Sequence, residues 1–592
     1  MTDMIQRGRL SSRVDTNLSH LQKTHSDTKM AFRWWILWLL FASTSAAVFG
    51  ACRGDSEATG RPTRHPWLKS QNEKSSFLTN KTRKFRVNGT GVPGVDFDVG
   101  ESYAGLLPVS EQDNADQLYF WFYPSANPTA NKEIVIWLSG GPGCSSTGEL
   151  LRGNGPISWL PGTSRPLANA WSWHRLTNVV WIDQPVGAGF SKGQATARHE
   201  TDVATQFMGF WRNFANTFAL HGYKIYITGS SYSGMYGPFI ASAMLDARDK
   251  NYFDLTGLQI FDGLFSTPQL ASNIPIADFT ETWSSLLALN DSVEHFVRSQ
   301  AENCGYSEYL RRYLVFPPTE HQPATLPGIQ PDGALAPGCD IGHPVVAAAQ
   351  ASNPCFSIYD ITKHCPLPFD PLGFNDDIPY APDRGADPVY LNRGDVKAAI
   401  NAPVDVDWAF CSRTSVFVGG VDGSLAGVGS RDVLATVIDR TRNVIIGHGM
   451  RDLALPANGS LLVIQNMTWG GKLGFQARPS GALYVPYHHH DSTDDHANLA
   501  EAGVVGTSHS ERGLTYMAVA GAGHFLGMDA PAVAYRSLEV LLGRVENLKS
   551  KVPFTTDRAA TPQPPGAIGR GTVEVGARAQ RPSPPGLVSP EV

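Results

Sequence analysis

Short, uninterrupted apolar runs punctuate the middle of the chain and predict strands that are buried on both faces of a sheet. Two of them lie at residues 134–138 and 179–182, and a third, at 444–446, comes much later. Helical patterns follow them in turn, at residues 203–220 and 236–245. Because strand and helix alternate, the pattern predicts an α/β fold with a mostly parallel central sheet and helices on both faces.

Region 255–389 breaks this alternation and predicts an inserted cap domain. It is rich in proline, holds four of the cysteines and includes a polar helical segment at 291–312. Strand-like runs resume after it, so the sheet-bearing core is expected in two parts, 91–254 and 390–548. The final segment, 549–592, is dominated by Pro, Gly, Ala and Arg and almost lacks aromatic residues, which predicts a disordered tail.

Residues 1–52 form a predicted N-terminal extension with a secretory targeting segment. A charge-free apolar run at 34–42 follows a short basic start at Met30 and precedes small residues, which is typical of a cleaved signal peptide. Translation from the first residue would instead make 34–51 a signal anchor, the one alternative in which the protein is membrane-bound. Both interpretations send the body of the protein into the secretory pathway, with the polar segment 53–90 as a candidate propeptide.

Cysteines and glycosylation motifs agree with that compartment. With Cys52 near the processing site, an even set of cysteines remains that suits disulfide bonds, and its pairing is open. This set comprises Cys144, Cys304, Cys339, Cys355, Cys365 and Cys411. Acceptor motifs for N-glycosylation occur at Asn80, Asn88, Asn290, Asn458 and Asn466.

Composition and charge narrow the classes of function. Hydrophobic residues make up 42% of the 592-residue chain and aromatic residues 10%, enough for a large buried core. The formal net charge of -6 and the lack of a basic patch with interleaved aromatic residues argue against nucleic acid as a partner. The sequence has no phosphate-cradling loop or redox motif, so no cofactor is expected.

One histidine- and aspartate-rich stretch resembles a metal site at first sight. It comprises His488, His489, His490, Asp491, Asp494, Asp495 and His496. First-row metals need a fixed ligand geometry that a polar loop seldom supplies, so we expect no metal there.

Ser231 lies in the stretch YITGSSYSG, residues 226–234, where an apolar run meets a turn of small residues and then a helical pattern. A nucleophile elbow has this form, because its strand-to-helix turn is too tight for large side chains close to the nucleophile. Gly229 and Ser233 meet that requirement. The turn would expose the Ser231 hydroxyl and aim the amide of Tyr232 at a developing oxyanion. Short Gly/Ser patterns also form ordinary turns, so the motif alone leaves both interpretations open.

Further stretches join the elbow. They are WLSGGPGCSS at 137–146, DQPVGAGFS at 183–191, GHGMRD at 447–452 and GAGH at 521–524. Together they resemble the serine carboxypeptidases over residues 91–544, in particular the secreted fungal branch through residues 464–469 and 507–514. The resemblance implies an α/β-hydrolase fold and a secretory-pathway enzyme, extracellular or vacuolar, that hydrolyses C-terminal peptide bonds through an acyl-enzyme. Its partners would be the C-termini of peptides or proteins.

The resemblance also assigns roles by position. Ser231 matches the nucleophile, His524 the general base, and Asp452 the carboxylate that orients the imidazole. A serine hydroxyl needs a neighbouring imidazole to accept its proton, and a buried carboxylate keeps that imidazole in the working tautomer. The other assigned positions are the oxyanion-hole amides of Gly141 and Tyr232, the substrate contacts Trp137, Ser139, Gly140 and Ser230, and the disulfide between Cys144 and Cys411.

The chain departs from the family where the substrate's C-terminal carboxylate is held. The family uses an Asn and two Glu side chains there, and this chain has Ser139, Gly153 and Ser230 at those positions. The fungal branch can also carry Ser in place of the Asn, so the departures that matter are Gly153 and Ser230. Glu149 lies four residues before Gly153 and reaches the same site only if the helix register shifts. A further departure is Phe525-Leu526-Gly527, where the family usually has Met-Val-Pro, so selectivity is expected to differ.

These departures keep two other functions open. One is a diverged esterase or acyltransferase with the same triad, and the other is a binding protein that has lost catalysis. Without the two family Glu side chains, activity is expected to follow the deprotonation of His524 and to decline less steeply toward neutral pH than in the family.

Overall fold

An 11-stranded sheet forms the centre of the protein in the computed structural model, which describes residues 76–112, 114–127, 130, 132–374, 388–426, 429–488 and 502–557. The strands are β1 (Arg86–Val87), β2 (Ser102–Pro108), β3 (Gln117–Tyr123), β4 (Glu133–Leu138), β5 (Ile157–Ser158), β6 (Leu167–Ala168), β7 (Asn178–Asp183), β8 (Lys224–Ser230), β9 (Asp254–Phe261), β10 (Val444–Gly449), β11 (Thr468–Trp469), β12 (Lys472–Leu473), β13 (Gly481–Val485), β14 (Gly503–Glu511) and β15 (Leu514–Val519).

The middle of the sheet is parallel and its edges are antiparallel. Strand order is β1-β2-β3-β7-β4-β8-β9-β10-β15-β14-β13, and neighbours from β7 to β15 run parallel. The strand pairs β5-β6 and β11-β12 form separate small sheets. The predicted strands at 134–138, 179–182 and 444–446 are confirmed as β4, β7 and β10. Their continuous apolar composition reflects burial on both faces, which parallel strands require.

Helices cover both faces of the sheet. They are α1 (Ser146–Leu150), α2 (Glu200–Phe218), α3 (Ser233–Ala247), α4 (Ile276–Thr282), α5 (Ser284–Leu287), α6 (Asp291–Asn303), α7 (Tyr306–Tyr313), α8 (Gly342–Ser352), α9 (Gly394–Ala399), α10 (Arg431–Thr441), α11 (Ala457–Gln465), α12 (Leu526–Asp529) and α13 (Pro531–Leu541). Short 3-10 or π turns lie at Arg83–Phe85, Trp173–Arg175, Gln269–Asn273, Tyr390–Asn392 and Gly423–Leu425.

An apolar stripe explains how α2 packs on the sheet. Phe207, Phe210, Phe214 and Phe218 recur every three or four residues and are all buried. Phe214 and Phe218 meet Phe122 of β3 with ring centroids 5.7 and 5.2 Å apart. Burial of each such ring contributes about 1.5–3 kcal/mol, so this stripe fixes the face that α2 turns to the sheet.

The predicted cap begins later than residue 255. Residues 255–261 belong to β9, which pairs with β8 and β10 inside the sheet. The sequence pattern missed this strand because Thr256 and Gln259 interrupt its apolar run, although Gln259 is fully buried. Helices α4 to α8 follow β9 and occupy most of the region predicted as the cap. The polar helix predicted at 291–312 is two helices, α6 and α7, because Gly305 between them has a φ of +78°.

Three disulfides are present among the described residues. Cys144 pairs with Cys411, as the resemblance implied. Inside the cap, Cys304 pairs with Cys339 and Cys355 with Cys365.

The folded core is longer at both ends than the sequence predicts. Within the candidate propeptide, Phe77 packs edge-on against Phe122 at 5.1 Å and β1 joins the sheet, so residues 76–90 belong to the core. Within the predicted tail, Phe554 is 2% exposed and contacts Trp171, so residues 549–557 are docked as well. One phenylalanine in a polar stretch of sequence makes the contact at each end. The composition of these stretches therefore does not predict that they pack on the core. Residues 53–75 and 558–592 lie outside the described residues.

No helix among the residues that the structure describes is long and apolar enough to cross a membrane. The predicted signal peptide or anchor within residues 1–52 lies outside that set.

Candidate active site

Three loops at one edge of the sheet carry the residues that the resemblance assigned to the triad. Ser231 directly follows β8, Asp452 follows β10, and His524 lies in the loop after β15. In the sheet, β8 pairs with β9, β9 with β10 and β10 with β15, all in parallel. Because the carboxyl ends of parallel strands share one edge, the three loops converge there.

The turn at Ser231 has the strained backbone of an elbow. Ser231 has a φ of +60°, and its N–H donates to Phe261 O at 2.8 Å. A Cβ atom added to Gly229 would lie 2.5 Å from Ser233 Oγ, closer than atoms of real side chains approach. The small residues that the sequence pattern singled out are therefore required by the close contact between the end of β8 and the start of α3.

The glycine-rich loop after β4 lies directly against this elbow. A Cβ atom on Gly140 would come within 2.4 Å of Tyr232 N, so no side chain fits between the two segments. The next residue, Gly141, has a φ of +115°, which favours glycine. The loop and the elbow thus bring the backbones of residues 140–141 and 231–232 side by side, the arrangement that an oxyanion hole needs.

Asp183 holds this glycine-rich loop to the loop that follows β7. Its Oδ1 accepts hydrogen bonds from Ser145 Oγ at 2.8 Å and Thr147 N at 3.0 Å, and its Oδ2 accepts one from Phe190 N at 3.0 Å. Burial raises the pKa of Asp183 to about 6, although these donors favour the carboxylate. The aspartate of the DQPVGAGFS stretch therefore has a structural role.

His524 and Asp452 form a buried pair. His524 Nδ1 lies 2.6 Å from Asp452 Oδ2, and Asp452 Oδ1 accepts a hydrogen bond from Leu455 N at 3.1 Å. Burial disfavours the charged imidazolium, but the charge and hydrogen bond of Asp452 outweigh it and raise the pKa of His524. With Nδ1 engaged, Nε2 is the nitrogen left to exchange a proton with a hydroxyl.

Behind this pair lies a second acidic group. Asp262 Oδ1 accepts a hydrogen bond from Gly449 N at 2.7 Å, and burial followed by the charge of Asp452 raises the pKa of Asp262. Asp262, His448 and Asp452 are the group among the described residues whose ligand atoms come close enough to hold a metal. Both oxygens of Asp452 are already hydrogen-bonded, which leaves His448 Nδ1 and Asp262 Oδ2 as the open ligand atoms of the set, fewer than a protein metal site uses.

Glu149 occupies the place where the sequence appeared to lack a carboxyl group. It projects from α1, is 5% exposed, and accepts hydrogen bonds from Ser139 Oγ at 2.8 Å and Ser230 Oγ at 3.1 Å. Burial raises the pKa of Glu149 to about 7, although both hydroxyls and the charge of His524 favour its carboxylate form. The side chain is therefore protonated in acidic solution and lies beside both the elbow and His524.

A small cleft connects Glu149 to an apolar wall. The wall is lined by Phe525, Leu526 and Met528, and a Cβ atom on Gly153 would lie 3.7 Å from Met528 Cγ. The departure FLG after His524 and the glycine at position 153 thus belong to one feature. Together they make this side of the cleft apolar.

Trp137 also lines this cleft. It is 2% exposed and packs edge-on against Trp173 with ring centroids 5.2 Å apart. Its indole Nε1 faces Glu149 and weakly lowers the pKa of that carboxyl without reaching a hydrogen bond among the described groups. Trp137 is therefore both a core residue and a wall of the cleft.

The other predicted sites lie apart from the cleft. Asn80, Asn88 and Asn290 are exposed, whereas Asn458 is half-buried and Asn466 is 7% exposed, which disfavours Asn466 as an attachment point for a glycan. Of the histidine- and aspartate-rich stretch, His488 is fully buried and packs edge-on against Trp171 at 4.6 Å. The rest of that stretch, 489–496, lies outside the described residues.

Two buried acids near the elbow had no signal in the sequence. Glu200 starts α2 and Asp422 precedes the 3-10 turn Gly423–Leu425, and no motif covers either. Their burial could be found only by seeing which loops fold over α2. Glu149 had a weak signal, since its distance from Gly153 along the chain is one helical turn.

Comparisons with known proteins show which family the chain resembles along most of its length. A family model described as serine carboxypeptidase matches residues 93–543. The chain is 45% identical over 485 residues to a probable serine carboxypeptidase from Arthroderma benhamiae, covering 80% of this chain and 89% of the relative. It is 40% identical over 497 residues to serine-type carboxypeptidase F from Aspergillus niger, covering 81% and 91%.

A solved structure supports the fold. The prohormone-processing carboxypeptidase Kex1(delta)p from Saccharomyces cerevisiae matches with a TM-score of 0.60 and 21% identity, covering 79% of this chain and 98% of that chain. At this identity the likeness concerns the fold alone, and it confirms the predicted α/β-hydrolase architecture.

Proposed function

The chain belongs to the serine carboxypeptidase family, and on this premise we propose that it releases C-terminal residues from peptides through a Ser231–His524–Asp452 triad and an acyl-enzyme. The enzyme class follows from the family: the protein is a serine-type carboxypeptidase, and its substrates are peptides. The match covers most of the length of both relatives.

In the proposed reaction, Ser231 Oγ attacks the carbonyl of the last peptide bond while His524 Nε2 takes the hydroxyl proton. His524 passes this proton to the departing amino group, the C–N bond breaks, and the acyl group stays on Ser231 as an ester. Water, deprotonated by the same imidazole, then hydrolyses the ester and frees Ser231. The 2.6 Å contact between Asp452 and His524 supports these roles, because it leaves Nε2 to move the proton.

The negative oxygen that forms on the attacked carbonyl needs donors that are already in position. We assign the amides of Gly141 and Tyr232 to this task. The close approach of Gly140 to Tyr232 N supports the assignment, because it brings the two backbone segments together. Loss of one such donor lowers kcat by about 100- to 1,000-fold in comparable sites.

Recognition of the substrate's C-terminal carboxylate is the step that makes the enzyme an exopeptidase, and Glu149 is the observation that carries it. A protonated carboxyl group donates a hydrogen bond to a carboxylate, whereas an ionised one repels it. Glu149 is buried, and its pKa is raised to about 7. It takes the place of the two family Glu side chains whose positions hold Gly153 and Ser230. No shift of helix register is needed, because Ser230 itself donates to Glu149.

This role of Glu149 changes the pH dependence expected from the sequence. With Glu149 as the proton donor, activity on a free carboxylate is lost as that side chain ionises near pH 7. The main argument for an esterase or acyltransferase was the absence of a carboxyl group at positions 153 and 230, and Glu149 supplies that group. The buried contact between His524 and Asp452 argues against a binding protein that has lost catalysis.

We also propose that the enzyme works in the secretory pathway or outside the cell. Disulfides persist mainly in oxidising compartments, and three are present among the described residues. The exposed acceptor motifs at Asn80, Asn88 and Asn290 agree with such a location.

The direct test compares a blocked dipeptide that has a free C-terminal carboxylate with the same dipeptide as its C-terminal amide. At pH 5.5 the first substrate is expected to release its last residue as the free amino acid, and the second to release it as the amino acid amide about tenfold or more slowly, because the amide lacks the charged hydrogen bond to Glu149. The Ser231→Ala variant is the control and should release neither product. Equal rates on both substrates would contradict carboxylate recognition while leaving the triad assignment intact.

A further inference from the structure

Two carboxyl groups lie buried against each other beneath the elbow. Glu200, the first residue of α2, is fully buried, and Asp422 is 3% exposed. Glu200 N donates to Ser424 Oγ at 2.8 Å, which holds the loop that contains Asp422 against the start of α2. Neither acid belongs to the triad or to the cleft that contains Glu149.

Hydrogen-bond donors are unequally shared between these two acids. Asp422 Oδ2 accepts from Tyr232 Oη at 2.8 Å, and Asp422 Oδ1 accepts from Ser424 N at 2.8 Å. Both carboxyl oxygens of Glu200 lack an N–H or O–H donor among the described residues. Ser424 brings the carboxyl of Asp422 to Glu200, because its hydroxyl accepts from Glu200 N at 2.8 Å and its own N–H donates to Asp422 Oδ1 at 2.8 Å. Two buried carboxyl groups in this arrangement retain one proton between them. Two adjacent buried negative charges would repel each other and would both lose their hydration free energy.

Two tyrosines connect this pair to both halves of the oxyanion site. Tyr232 directly follows Ser231, and its hydroxyl is the one bonded to Asp422. Tyr236, one helical turn later, packs against Tyr232 with ring centroids 5.2 Å apart and accepts a hydrogen bond from Gly143 N at 3.2 Å. Gly143 belongs to the same loop as Gly141. The pair is thus linked to the turn after the nucleophile and to the glycine-rich loop.

Resting on the oxyanion-hole assignment of the proposed function, we propose that Glu200 and Asp422 are positioning residues, a proton-sharing carboxyl pair that holds the oxyanion site in place through Tyr232 and Tyr236. With one shared proton the pair carries a single negative charge, which accepts the Tyr232 hydroxyl. When the shared proton is lost, the two charges repel each other and the Asp422 loop moves away from Glu200. The hydroxyl of Tyr232 then loses its fixed acceptor, and the amide that follows Ser231 loses its alignment.

None of the other titratable groups around the pair supplies or removes the shared proton in its place. Tyr232 and Tyr236 face it from α3, and burial followed by the acids raises the pKa of Tyr232. Burial followed by Glu200 raises the pKa of Tyr236 as well. From the start of α2, Arg198 and His199 are exposed, and Asp202 accepts hydrogen bonds from their backbone N–H groups. Both tyrosines therefore stay neutral while the carboxyl pair titrates.

The test uses Glu200→Gln, Tyr232→Phe and, as a control, Glu302→Gln on the exposed face of α6. The amide introduced by Glu200→Gln keeps a donor toward Asp422 and the single negative charge of the pair, but it has no proton to lose. The readouts are kcat on a blocked amino acid ethyl ester and the rate of Ser231 labelling by a fluorophosphonate, both from pH 5 to 9. Neither readout needs a free C-terminal carboxylate, so failure here is distinct from failure of carboxylate recognition by Glu149.

We expect kcat and the labelling rate of the wild type and of Glu302→Gln to fall at alkaline pH, while Glu200→Gln retains at least tenfold more of its maximum at pH 9. The Tyr232→Phe variant should have a lower kcat with a nearly unchanged KM, and adding Glu200→Gln to it should no longer alter the pH profile. An unchanged alkaline limb in Glu200→Gln would overturn the proposal. If Glu200→Gln does not fold, the Tyr232→Phe variant decides: a wild-type alkaline limb there overturns the proposal, and loss of that limb supports it.

Thermal unfolding gives an independent readout with a defined sign. The raised pKa of Glu200 in the folded state means that the folded protein holds a proton which the unfolded chain releases. The contribution of this group to stability is therefore present in acid and is lost as pH rises through its folded pKa. Between pH 5 and pH 8, Tm should fall less in Glu200→Gln than in Glu302→Gln, and equal falls would contradict the shared proton.

Discussion

The hydroxyl of Ser230 donates a hydrogen bond of 3.1 Å to Oε1 of Glu149. Ser230 stands directly before Ser231, at a position where the resemblance places a family glutamate, so the sequence predicts that a carboxyl group is missing there. The contact shows that a carboxyl group from α1 meets Ser230. The hydroxyl of Ser139 donates a second hydrogen bond to Glu149, at 2.8 Å. The two serines together fix the position of the Glu149 side chain.

The triad assignment predicts the effect of Asp452→Asn. An amide at this position turns the His524 imidazole into the wrong tautomer, so kcat should fall about ten-thousand-fold with little change in KM. Steady-state kinetics on a blocked dipeptide measures this directly. The matched control is Asp291→Asn at the exposed start of α6, which should keep full activity. A loss of less than tenfold in Asp452→Asn would exclude Asp452 as the orienting carboxylate.

The apolar wall of the cleft predicts side-chain selectivity. Leu526 and Met528 line the same cleft as Glu149, so the C-terminal residue of the substrate should be apolar. Burial of such a side chain contributes about 1.5–3 kcal/mol, which corresponds to a preference of about 10- to 150-fold for Leu over Asp. Competition between blocked dipeptides that differ only in the last residue measures this preference.

The variant Met528→Glu checks which residues set that preference. It should reduce the preference for Leu and improve release of C-terminal Lys or Arg. Leu286→Glu, on the exposed surface of the cap, should leave selectivity unchanged. If Met528→Glu selects like the wild type, another part of the protein contacts the last side chain.

Burial predicts which acceptor motifs carry glycans. Asn80, Asn88 and Asn290 are exposed and should be occupied in protein secreted from a eukaryotic host. Asn466 is 7% exposed, and its Oδ1 accepts a hydrogen bond from Gln322 N at 2.9 Å, so it should be unoccupied. Enzymatic deglycosylation in heavy-oxygen water followed by peptide mass spectrometry reads each position. A glycan on most copies of Asn466 would contradict its placement.

Docking of residues 549–557 predicts a stability effect at Phe554. Its ring contacts Trp171 and Tyr535 at 5.1 and 5.7 Å, and Thr555 N donates to Glu539 Oε1 at 2.6 Å. Phe554→Ala should lower the free energy of unfolding by about 3–5 kcal/mol, measured by urea denaturation. Val552→Ala, two residues earlier and 51% exposed, is the control and should cost little. Equal stability of the two variants would mean that this segment adds nothing to the fold.

Local constraints explain which features the sequence could predict. The elbow at Ser231 was predictable because tight packing around Gly229 admits only small side chains. This requirement affects residues that are neighbours in sequence, so a short motif reveals it. Strands β4, β7 and β10 were predictable because burial on both faces demands continuous apolar runs. Strand β9 was missed because its buried Gln259 breaks that rule.

Long-range contacts explain what the sequence could not predict. The position of Glu149 depends on how α1 meets Ser139 and Ser230, residues that are 10 and 81 positions away. The pairing of Glu200 with Asp422 depends on a loop more than two hundred residues later in the chain folding over α2. The triad roles proposed for Asp452 and His524 rest on a family resemblance, since no local sequence pattern identifies either residue.

The pH dependence of kcat/KM for a blocked dipeptide and for its C-terminal ethyl ester, in the wild type and in Glu149→Gln, tests the central assignment most directly. In the wild type, activity on the dipeptide should fall above pH 7, by about tenfold for each pH unit, because Glu149 must be protonated to bind a carboxylate. Activity on the ester should lack the fall that begins at pH 7 and keep only the alkaline limb that we ascribe to Glu200 and Asp422. Glu149→Gln keeps a neutral donor and should lose the fall from pH 7 for the dipeptide as well. If dipeptide and ester share one profile, or if Glu149→Gln behaves like the wild type, Glu149 does not hold the carboxylate.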